Sequence, residues 1–452
     1  MTQISAELNT QAKTLKDLTQ AALQEAKGKG AEGAKVSTSA TFQRRMVVEN
    51  KQFSLANSLQ SQRLGLAVHK DQKKGSATSN IATGAAVKEM VDEAMALASF
   101  SVADPNLTLA TTDQAPTASP LSFMYDDSLA DLSLEEIKEV LSELLGTLTA
   151  DTRVALDRLD CTLDVTWHAL MNSNGVSQEE KQTMLNWTMI GMAVEGDQVS
   201  NFDYTGGFSF DKGSVLGRAK ADVDKFIKRV VGNLNPKKAP SYKGLVVLSP
   251  RAVRSLLANV IAYQSSGRQL MDGKSRWADK EGGTVCSELI SLHDLPHDKS
   301  YAGATCYDGD GLPTHNRKIV HEGTLCEFLY DCYSAKKLGK ASNAASGAPF
   351  STVLLGGSTP KEELLKARGE ILLVDRFSGN CDPFKGDFSG VAKSSHLYKN
   401  GEDVGAVTET MIAGNAFDLL KSVQAVSQET QLDGGSFQSP YILCDGVSVT
   451  GS

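Results

Sequence analysis

Two stretches without hydrophobic periodicity interrupt the chain and limit what it can fold into. Residues 103–122 are rich in Pro, Thr, Asp and Ser, and the stretch GNLNPKKAPSY that begins at Gly232 contains two prolines. Such composition is typical of connecting segments. A single hydrophobic core stops growing at roughly 250 to 300 residues, so a chain of 452 residues is expected to divide. We predict an N-terminal α/β domain at 1–102, a central domain at 123–232 and a β-rich C-terminal domain at 243–452.

The N-terminal domain begins with an amphipathic helix. Apolar residues recur at helical spacing between residues 2 and 27, and glycines end the pattern. Three strand-like runs follow at Val36–Phe42, Met46–Glu49 and Leu64–His69, and a second helical pattern begins near Thr83. This order predicts a first unit that combines helices with a sheet.

The central domain carries a helix signature and an alternating strand. Ser133 and Glu136 have the spacing of a capping box, which marks the start of a helix. Apolar and polar residues alternate over Cys161–Trp167, as expected for a half-buried strand. A turn is predicted at Asn172–Gly175, and a further helix at about 215–231.

The C-terminal domain is predicted to be mostly β-structure. A strand at Gly244–Ser249 precedes a helix that starts near Pro250, and a second helix is predicted at Ala416–Val426. Between them lie many short strand-like runs. The fold class that we expect for the whole chain is therefore α+β.

Charge and cysteine usage exclude several classes of protein. The 46 basic and 54 acidic residues give a net charge of -8, which disfavours binding to nucleic acid. The N-terminus has no signal-peptide pattern, and no stretch reaches the roughly 18 apolar residues of a membrane span. The seven cysteines are scattered, without a Cys-x-x-Cys pair. These features predict a cytoplasmic protein with reduced thiols and no membrane contact.

One His-Glu pair invites comparison with zinc peptidases. His321 and Glu322 resemble the start of a zincin helix, but Leu325 stands where the second histidine would be. Gly323 also disfavours a helix there. We interpret this segment as a Glu-Gly turn between strands.

A second pair of histidines has the spacing of metal ligands. His293 and His297 are four residues apart, yet Pro296 between them forbids a regular helix. A surface loop is the favoured interpretation, and a metal site built from these histidines with Asp294 is the alternative.

Three stretches of the C-terminal region together carry a specific pattern. They run from Asp308-Gly-Asp-Gly through Tyr333-Ser-Ala-Lys-Lys-Leu-Gly, over Gly386-Asp-Phe-Ser with the later Lys399-Asn-Gly-Glu, and over Ile412-Ala-Gly-Asn. In order and spacing these motifs resemble the PmbA/TldE branch of the TldD/PmbA metallopeptidase family, also called modulators of DNA gyrase. The resemblance implies an N-terminal α/β domain, a central domain and a β-rich C-terminal domain that forms a dimer around a cavity.

The resemblance also implies what this chain lacks. In the catalytic sister subunit, TldD, a His-Glu-x-x-x-His segment follows a strand ending in Val-Val-Leu and supplies zinc ligands and a base. Counting from Leu245-Val-Val-Leu248 puts Ala258, Asn259 and Tyr263 at those positions. None of these side chains is a normal zinc ligand or a base at neutral pH. We therefore expect no catalytic residue and no metal in this chain.

The implied function is that of a non-catalytic subunit. Zinc would reside in a TldD-like partner, and the heterodimer would cleave unfolded peptides, with this chain completing the cavity and guiding substrate. We predict that Asp387, Ser389, Gly414 and Asn415 line the cavity, because Gly-flanked polar residues let backbone groups approach a peptide. The chain departs from the family at Ser342–Ser346 and at His396, which bears on the detailed lining and the choice of substrate.

Two other hypotheses stay open at this stage. One is an active homodimeric metallohydrolase with unfamiliar ligands, drawn from His293, Asp294 and His297. The other is a peptide-binding or scaffold protein without a peptidase partner.

Overall fold

The computed structural model describes residues 3–367, 369–408 and 410–451. Its helical elements alternate with strands along the chain, and most helices of the C-terminal half are short. The helices are α1 Gln3–Gly28, α2 Gly84–Phe100, α3 Asp127–Ala130, α4 Leu134–Ala150, α5 Lys212–Gly232, α6 Pro250–Val253, α7 Asn259–Gln264, α8 Gly267–Met271, α9 Cys332–Leu338, α10 Lys361–Leu364 and α11 Ala416–Lys421. A π-helical turn, Arg254–Ala258, joins α6 to α7, and a 3₁₀ turn covers Ser122–Met124.

The strands fall into two groups that follow each other in the sequence. The first group is β1 Gly33–Glu49, β2 Gln52–Lys70, β3 Lys73–Ser79, β4 Val154–Asn172, β5 Ser177–Glu195, β6 Gln198–Val199 and β7 Asp203–Ser209. The second is β8 Lys237–Lys238, β9 Tyr242–Leu248, β10 Leu292–Asp294, β11 Arg317–His321, β12 Thr324–Leu325, β13 Thr352–Leu354, β14 Glu370–Val374, β15 Arg376–Cys381, β16 Asp387–Lys393, β17 Ser395–Lys399, β18 Glu402–Thr408, β19 Thr410–Asn415, β20 Val423–Asp433 and β21 Phe437–Thr450.

The first group forms one antiparallel sheet of seven strands, in the order β3-β2-β1-β4-β5-β6, with β7 also paired to β5. Its long central strands β1 and β4 pair directly, with Val36 opposite Met171. Helices α1, α2, α4 and α5 cover the sheet and share its hydrophobic core. Strands from both 1–102 and 123–232 thus belong to one sheet. The predicted connector at 103–122 runs between α2 and the 3₁₀ turn.

The second group forms a mixed sheet of fourteen strands around a separate hydrophobic core. Its central path runs β12-β11-β10-β13-β21-β9-β14-β17-β18-β8. Strands β15, β16 and β19 form a side branch that joins the path through β21. The α+β class is therefore confirmed, with the β-rich part in the C-terminal half. In the part of the chain that the structure describes, no helix is long and apolar enough to cross a bilayer.

Two local predictions were wrong in their boundaries. The segments Val36–Phe42 and Met46–Glu49 are one uninterrupted strand, β1. The predicted helix Ala416–Val426 ends at Lys421, and Val423 begins strand β20, which pairs with β21. In both cases pairing with a neighbouring strand of the sheet determined the structure of a segment whose local pattern was ambiguous.

Candidate functional site

The helical segment after β9 presents three side chains in very different environments. Ser249 begins it as the N-cap, and Pro250 follows at the first helical position, where proline is favoured. Ala258 is buried, with 3% of its surface exposed, whereas Asn259 is exposed and Tyr263 is half-buried. Asn259 and Tyr263 are four residues apart in α7, so they lie on the same side of this helix.

The donor atoms at these positions do not fit a zinc ion. Zinc in proteins is held by thiolate, imidazole or carboxylate groups. Ala258 offers a buried methyl group, Asn259 a neutral amide and Tyr263 a phenol. These three side chains therefore give no basis for a metal-dependent reaction at this position.

A hairpin with a polar outer face packs against this helical segment. Strands β15 and β16 pair antiparallel, with Asn380 opposite Ser389, and the side chains of both residues are exposed. The hairpin contacts the helix at two points. Gln264 Nε2 donates to the carbonyl of Pro383 at 2.7 Å, and Cys381 Sγ lies 3.9 Å from the carbonyl oxygen of Leu256. The hairpin and the segment that carries Asn259 are therefore neighbours.

The structure brings the four predicted lining residues together on one ladder. Strand β16 pairs with β19, which puts Asp387 opposite Asn415 and Phe388 opposite Gly414. Asp387 and Ser389 are exposed on the outer face, whereas Phe388 between them is buried. A Cβ atom at Gly414 would lie 2.8 Å from the Phe388 ring, so glycine is needed for this packing.

Asn415 connects the strand ladder to the following helix. Its Nδ2 donates to Asp387 Oδ1 at 2.9 Å and to the carbonyl of Lys385 at 3.0 Å. Its Oδ1 accepts from the backbone N–H of Phe417 at 3.0 Å, as an N-cap of α11. These three contacts stabilise the local backbone around Asn415. The proximity of Asp387 and Asn415 therefore has a structural cause that is independent of any ligand.

Strand β15 is an edge of the β-branch. It pairs with β16, and within the described residues no strand pairs with its other side. An edge strand offers backbone N–H and C=O groups to an extended peptide. This edge continues the polar face formed by β15 and β16, which makes the hairpin a suitable surface for an extended chain.

The alternative metal site is not assembled by the fold. Asp294 is fully buried, and its Oδ1 accepts from the backbone N–H groups of Phe350 and Ser351 at 2.9 and 2.8 Å. His297 Nε2 lies 2.9 Å from Thr314 Oγ1 instead of facing Asp294. Burial, the largest influence, raises the pKa of Asp294 to about 6. Within the described residues no group of three His, Cys, Asp or Glu side chains is placed to hold a metal ion.

The His321-Glu322 pair lies in a tight turn, as the sequence predicted. His321 ends β11 and Thr324 begins β12, and the two residues pair across the turn. Glu322 and Gly323 between them have φ angles of 47° and 74°. A left-handed backbone at both central residues belongs to a hairpin turn and excludes a helix.

The sequence reasoning missed two polar clusters that join the sheets. Arg251, at the start of the helical segment, binds Asp203 of β7. Elsewhere, His168 Nε2 lies 2.6 Å from Glu180 Oε1, and the backbone N–H of Cys306 donates to Glu180 Oε2 at 2.8 Å. Burial opposes ionisation of Glu180, but His168 and Cys306 outweigh it, so the pKa of Glu180 lies below its usual value. Single polar residues far apart in sequence carried no signal of these contacts.

Comparison with known proteins agrees with this architecture. The model of the PmbA/TldA metallopeptidase C-terminal domain matches residues 241–451. The metalloprotease PmbA homolog of Haemophilus influenzae is 28% identical over 427 residues, which cover 92% of this chain and 91% of that protein. The metalloprotease PmbA of Escherichia coli O157:H7 is 24% identical over 464 residues, covering 99% and 98% of the two chains.

The fold defines the class of protein. The crystal structure of TldE from Thermococcus kodakarensis superposes with a TM-score of 0.84 at 20% identity, covering 97% of this chain and all of the other. This likeness shows a shared TldD/TldE-type fold. Residues 241–451 belong to the TldD/PmbA metallopeptidase family as its C-terminal domain, and over nearly its whole length the chain is similar to PmbA metalloproteases.

Proposed function

We propose that this chain is the non-catalytic subunit of a TldD/PmbA-type metallopeptidase complex. In this role it completes a dimer cavity and guides unfolded peptides to the zinc ion of a TldD-like partner. The observation that carries the proposal is the set of side chains at Ala258, Asn259 and Tyr263. Zinc-dependent hydrolysis needs metal ligands and a base that activates water, and these side chains supply neither.

The surface beside this helical segment supports a role in handling peptide. The exposed side chains of Asn380, Asp387 and Ser389 are short and polar, and the backbone of β15 has a free edge among the described strands. An extended chain can pair with such an edge through main-chain hydrogen bonds, which depend little on side-chain identity. An unfolded peptide has its backbone N–H and C=O groups free for such pairing along its whole length, so the proposed substrate class is unfolded peptide.

The proposed partner and compartment follow from the same reasoning. Without metal ligands at the helix, hydrolysis requires a second chain that carries His-Glu-x-x-x-His. Pairing with such a chain to form a heterodimer is proposed over self-pairing to a homodimer. All seven cysteines are unpaired, which agrees with the reducing cytoplasm as the proposed compartment.

The test is a peptidase assay on an unfolded peptide with three samples, namely this chain alone, the TldD-like partner alone and their mixture. We expect no hydrolysis and less than stoichiometric zinc with this chain alone. The mixture should cleave at least about tenfold faster than the partner alone, equivalent to about 1.4 kcal/mol in activation free energy. A chelator should abolish the activity.

A matched control separates the contributions of the two chains. Replacing the glutamate of the partner's His-Glu-x-x-x-His by glutamine should abolish hydrolysis although this chain is intact. Chelator-sensitive cleavage by this chain alone would instead establish an active homodimeric hydrolase. Peptide binding without any effect of the partner on hydrolysis would establish a binding or scaffold protein.

A further inference from the structure

A cleft of about 360 Å³ opens between the seven-stranded sheet and the start of the helical segment. Its lining includes Tyr204 of β7 and, from the helical segment, Arg251, Arg254 and Asn259. Arg376, the first residue of the edge strand β15, is also among the lining residues. The cleft therefore lies where the helical segment, the edge strand and the N-terminal sheet meet. We call it the arginine cleft.

Two of the three arginines in the cleft are neutralised by carboxylates. Arg251 donates to Asp203 at 2.7 Å and to Asp375 at 3.0 Å. Arg254 Nη1 donates at 3.0 Å to Oδ2 of Asp433, an acidic residue that also lines the cleft. Ion pairing therefore accounts for the charges of Arg251 and Arg254 within the protein.

Arg376 is different, because it has no carboxylate partner among the described residues. Its Nη2 makes one hydrogen bond, to the carbonyl of Phe202 at 3.3 Å, and its Nε makes none. The guanidinium lies over the rings of Phe202 and Tyr204, at 5.2 and 5.6 Å from their centroids. Such stacking holds the planar group in place while leaving hydrogen-bond donors unused. The guanidinium of Arg376 is therefore a half-buried cation with a fixed orientation and no carboxylate partner among the described residues.

We infer that the arginine cleft binds a carboxylate of an extended peptide, with Arg376 as the principal donor and Arg254 and the Asn259 amide beside it. A guanidinium matches the planar geometry of a carboxylate with two parallel hydrogen bonds. The carboxylate comes either from the C-terminus of the peptide or from an Asp or Glu side chain. The inference rests on the proposed peptide-guiding function and adds to it a preference for peptides that carry a carboxylate.

The location of the cleft explains how the two features act together. Arg376 begins β15, so a peptide paired with the edge of β15 passes the guanidinium at one end of the strand. The resemblance predicts that Asn259 occupies the position where the catalytic relative has a glutamate. A glutamate there would repel a carboxylate, whereas the neutral amide can donate to it.

The test uses fluorescence anisotropy of labelled unfolded peptides with the full chain at low ionic strength. Three peptides share one sequence: the first has a free C-terminus and no acidic residue, the second is its C-terminal amide, and the third is the amide with one internal Asp. We expect the first or the third to bind about tenfold or more tightly than the second, as charge-assisted hydrogen bonds predict. Which of the two binds tightly identifies the source of the carboxylate.

Variants connect the preference to the cleft. Arg376→Gln should remove most of the tenfold difference, and so should Asn259→Asp, which adds a negative charge at an exposed position that tolerates substitution. Arg218→Gln is the matched control, because Arg218 also lies over an aromatic ring, that of Phe208, but does not line the cleft. It should leave the difference unchanged.

The outcomes separate this inference from the proposed function. Equal binding of all three peptides would overturn the carboxylate site while leaving peptide guiding intact. The same holds if no peptide binds this chain but the mixture with the partner still cleaves. A preference that survives both Arg376→Gln and Asn259→Asp would also overturn it. Failure of both binding and partner-dependent cleavage would overturn both proposals.

Discussion

The carboxylate of Asp203 on β7 accepts two hydrogen bonds from Arg251 on α6, at 2.7 and 3.1 Å. Asp203 is 1% exposed and Arg251 is 6% exposed, so this ion pair is buried between the two sheets. Arg229 Nε and Ser394 Oγ donate to the same carboxylate. Asp203 therefore connects α5, α6 and the C-terminal sheet through one group.

Removing this carboxylate should destabilise the protein strongly. Asp203→Ala leaves Arg251 buried without its main partner, and we expect the free energy of unfolding to fall by about 3 kcal/mol or more, measured by urea denaturation. Asp433→Ala is the control, because it breaks the more exposed pair with Arg254 and should lower it by about 1 kcal/mol or less. Equal losses in the two variants would contradict the assignment of Asp203 as the buried connection.

Asp308 should make the protein less stable as pH rises. Burial, together with the nearby charge of Asp310, raises the pKa of Asp308 to about 6. The folded state thus holds this proton more tightly than the unfolded state, so the stability contribution is full below about pH 4 and is lost as pH rises towards 6. Asp308→Asn should remove this part of the pH dependence, at most about 3 kcal/mol.

Asp310 should affect stability at the acid end of the pH range instead. Burial works against ionisation of Asp310, but Lys35, at 2.8 Å, outweighs it, so the pKa of Asp310 lies below its usual value. Its contribution is present above about pH 4 and lost on acidification. Urea midpoints between pH 3 and pH 8 measure both effects. If Asp310→Asn left the loss of stability on acidification below about pH 4 unchanged, the assignment of Asp310 would be wrong.

The helical segment that contains Ala258 should not tolerate the introduction of a histidine at this position. Ala258 is 3% exposed and belongs to the hydrophobic core of the C-terminal half, so Ala258→His should lower the free energy of unfolding by about 1 to 3 kcal/mol through overpacking. Tyr263→His, at a half-buried position, should lower it by about 1 kcal/mol or less. Thermal denaturation of the two variants checks this order. A stable Ala258→His variant would show that the core has room for an imidazole.

Asn415 and Ser389 should respond differently to truncation. Asn415→Ala removes the N-cap of α11 and the bond to Asp387, and we expect a loss of about 1 to 2 kcal/mol in the free energy of unfolding. Ser389→Ala, on the exposed face, should change it by less than about 0.5 kcal/mol. If Ser389 lines a peptide path, its variant should raise KM in the partner-dependent assay at unchanged stability. An unchanged KM would remove Ser389 from the proposed lining.

Local sequence patterns correctly predicted the elements that depend on short-range contacts or on one buried face. The capping box at Ser133 and Glu136 forms as expected at the start of α4. The alternation over Cys161–Trp167 appears as alternating burial along β4. These features need only short-range hydrogen bonds or one buried face, and both are visible in a single sequence.

Local patterns failed where polar residues find distant partners. Gln43 and Arg45 interrupt the apolar pattern of β1, which suggested two strands. In the structure Gln43 donates to Asp164 at 2.9 Å and Arg45 pairs with Asp160, both on the neighbouring strand β4. A cross-strand partner more than 100 positions away stabilises a strand through contacts that the segment itself does not reveal.

The chemical capacity of each side chain was determined by the sequence alone. The methyl group of Ala258 and the amide of Asn259 are not normal zinc ligands in any conformation, because the covalent structure of a side chain determines its donor atoms. The tertiary structure alone decided which groups meet. It brought Asp387 beside Asn415, buried Asp203 against Arg251, and left Arg376 without a carboxylate partner among the described residues. Such relationships depend on the packing of strands far apart in the chain, whose combined burial energy outweighs local preference.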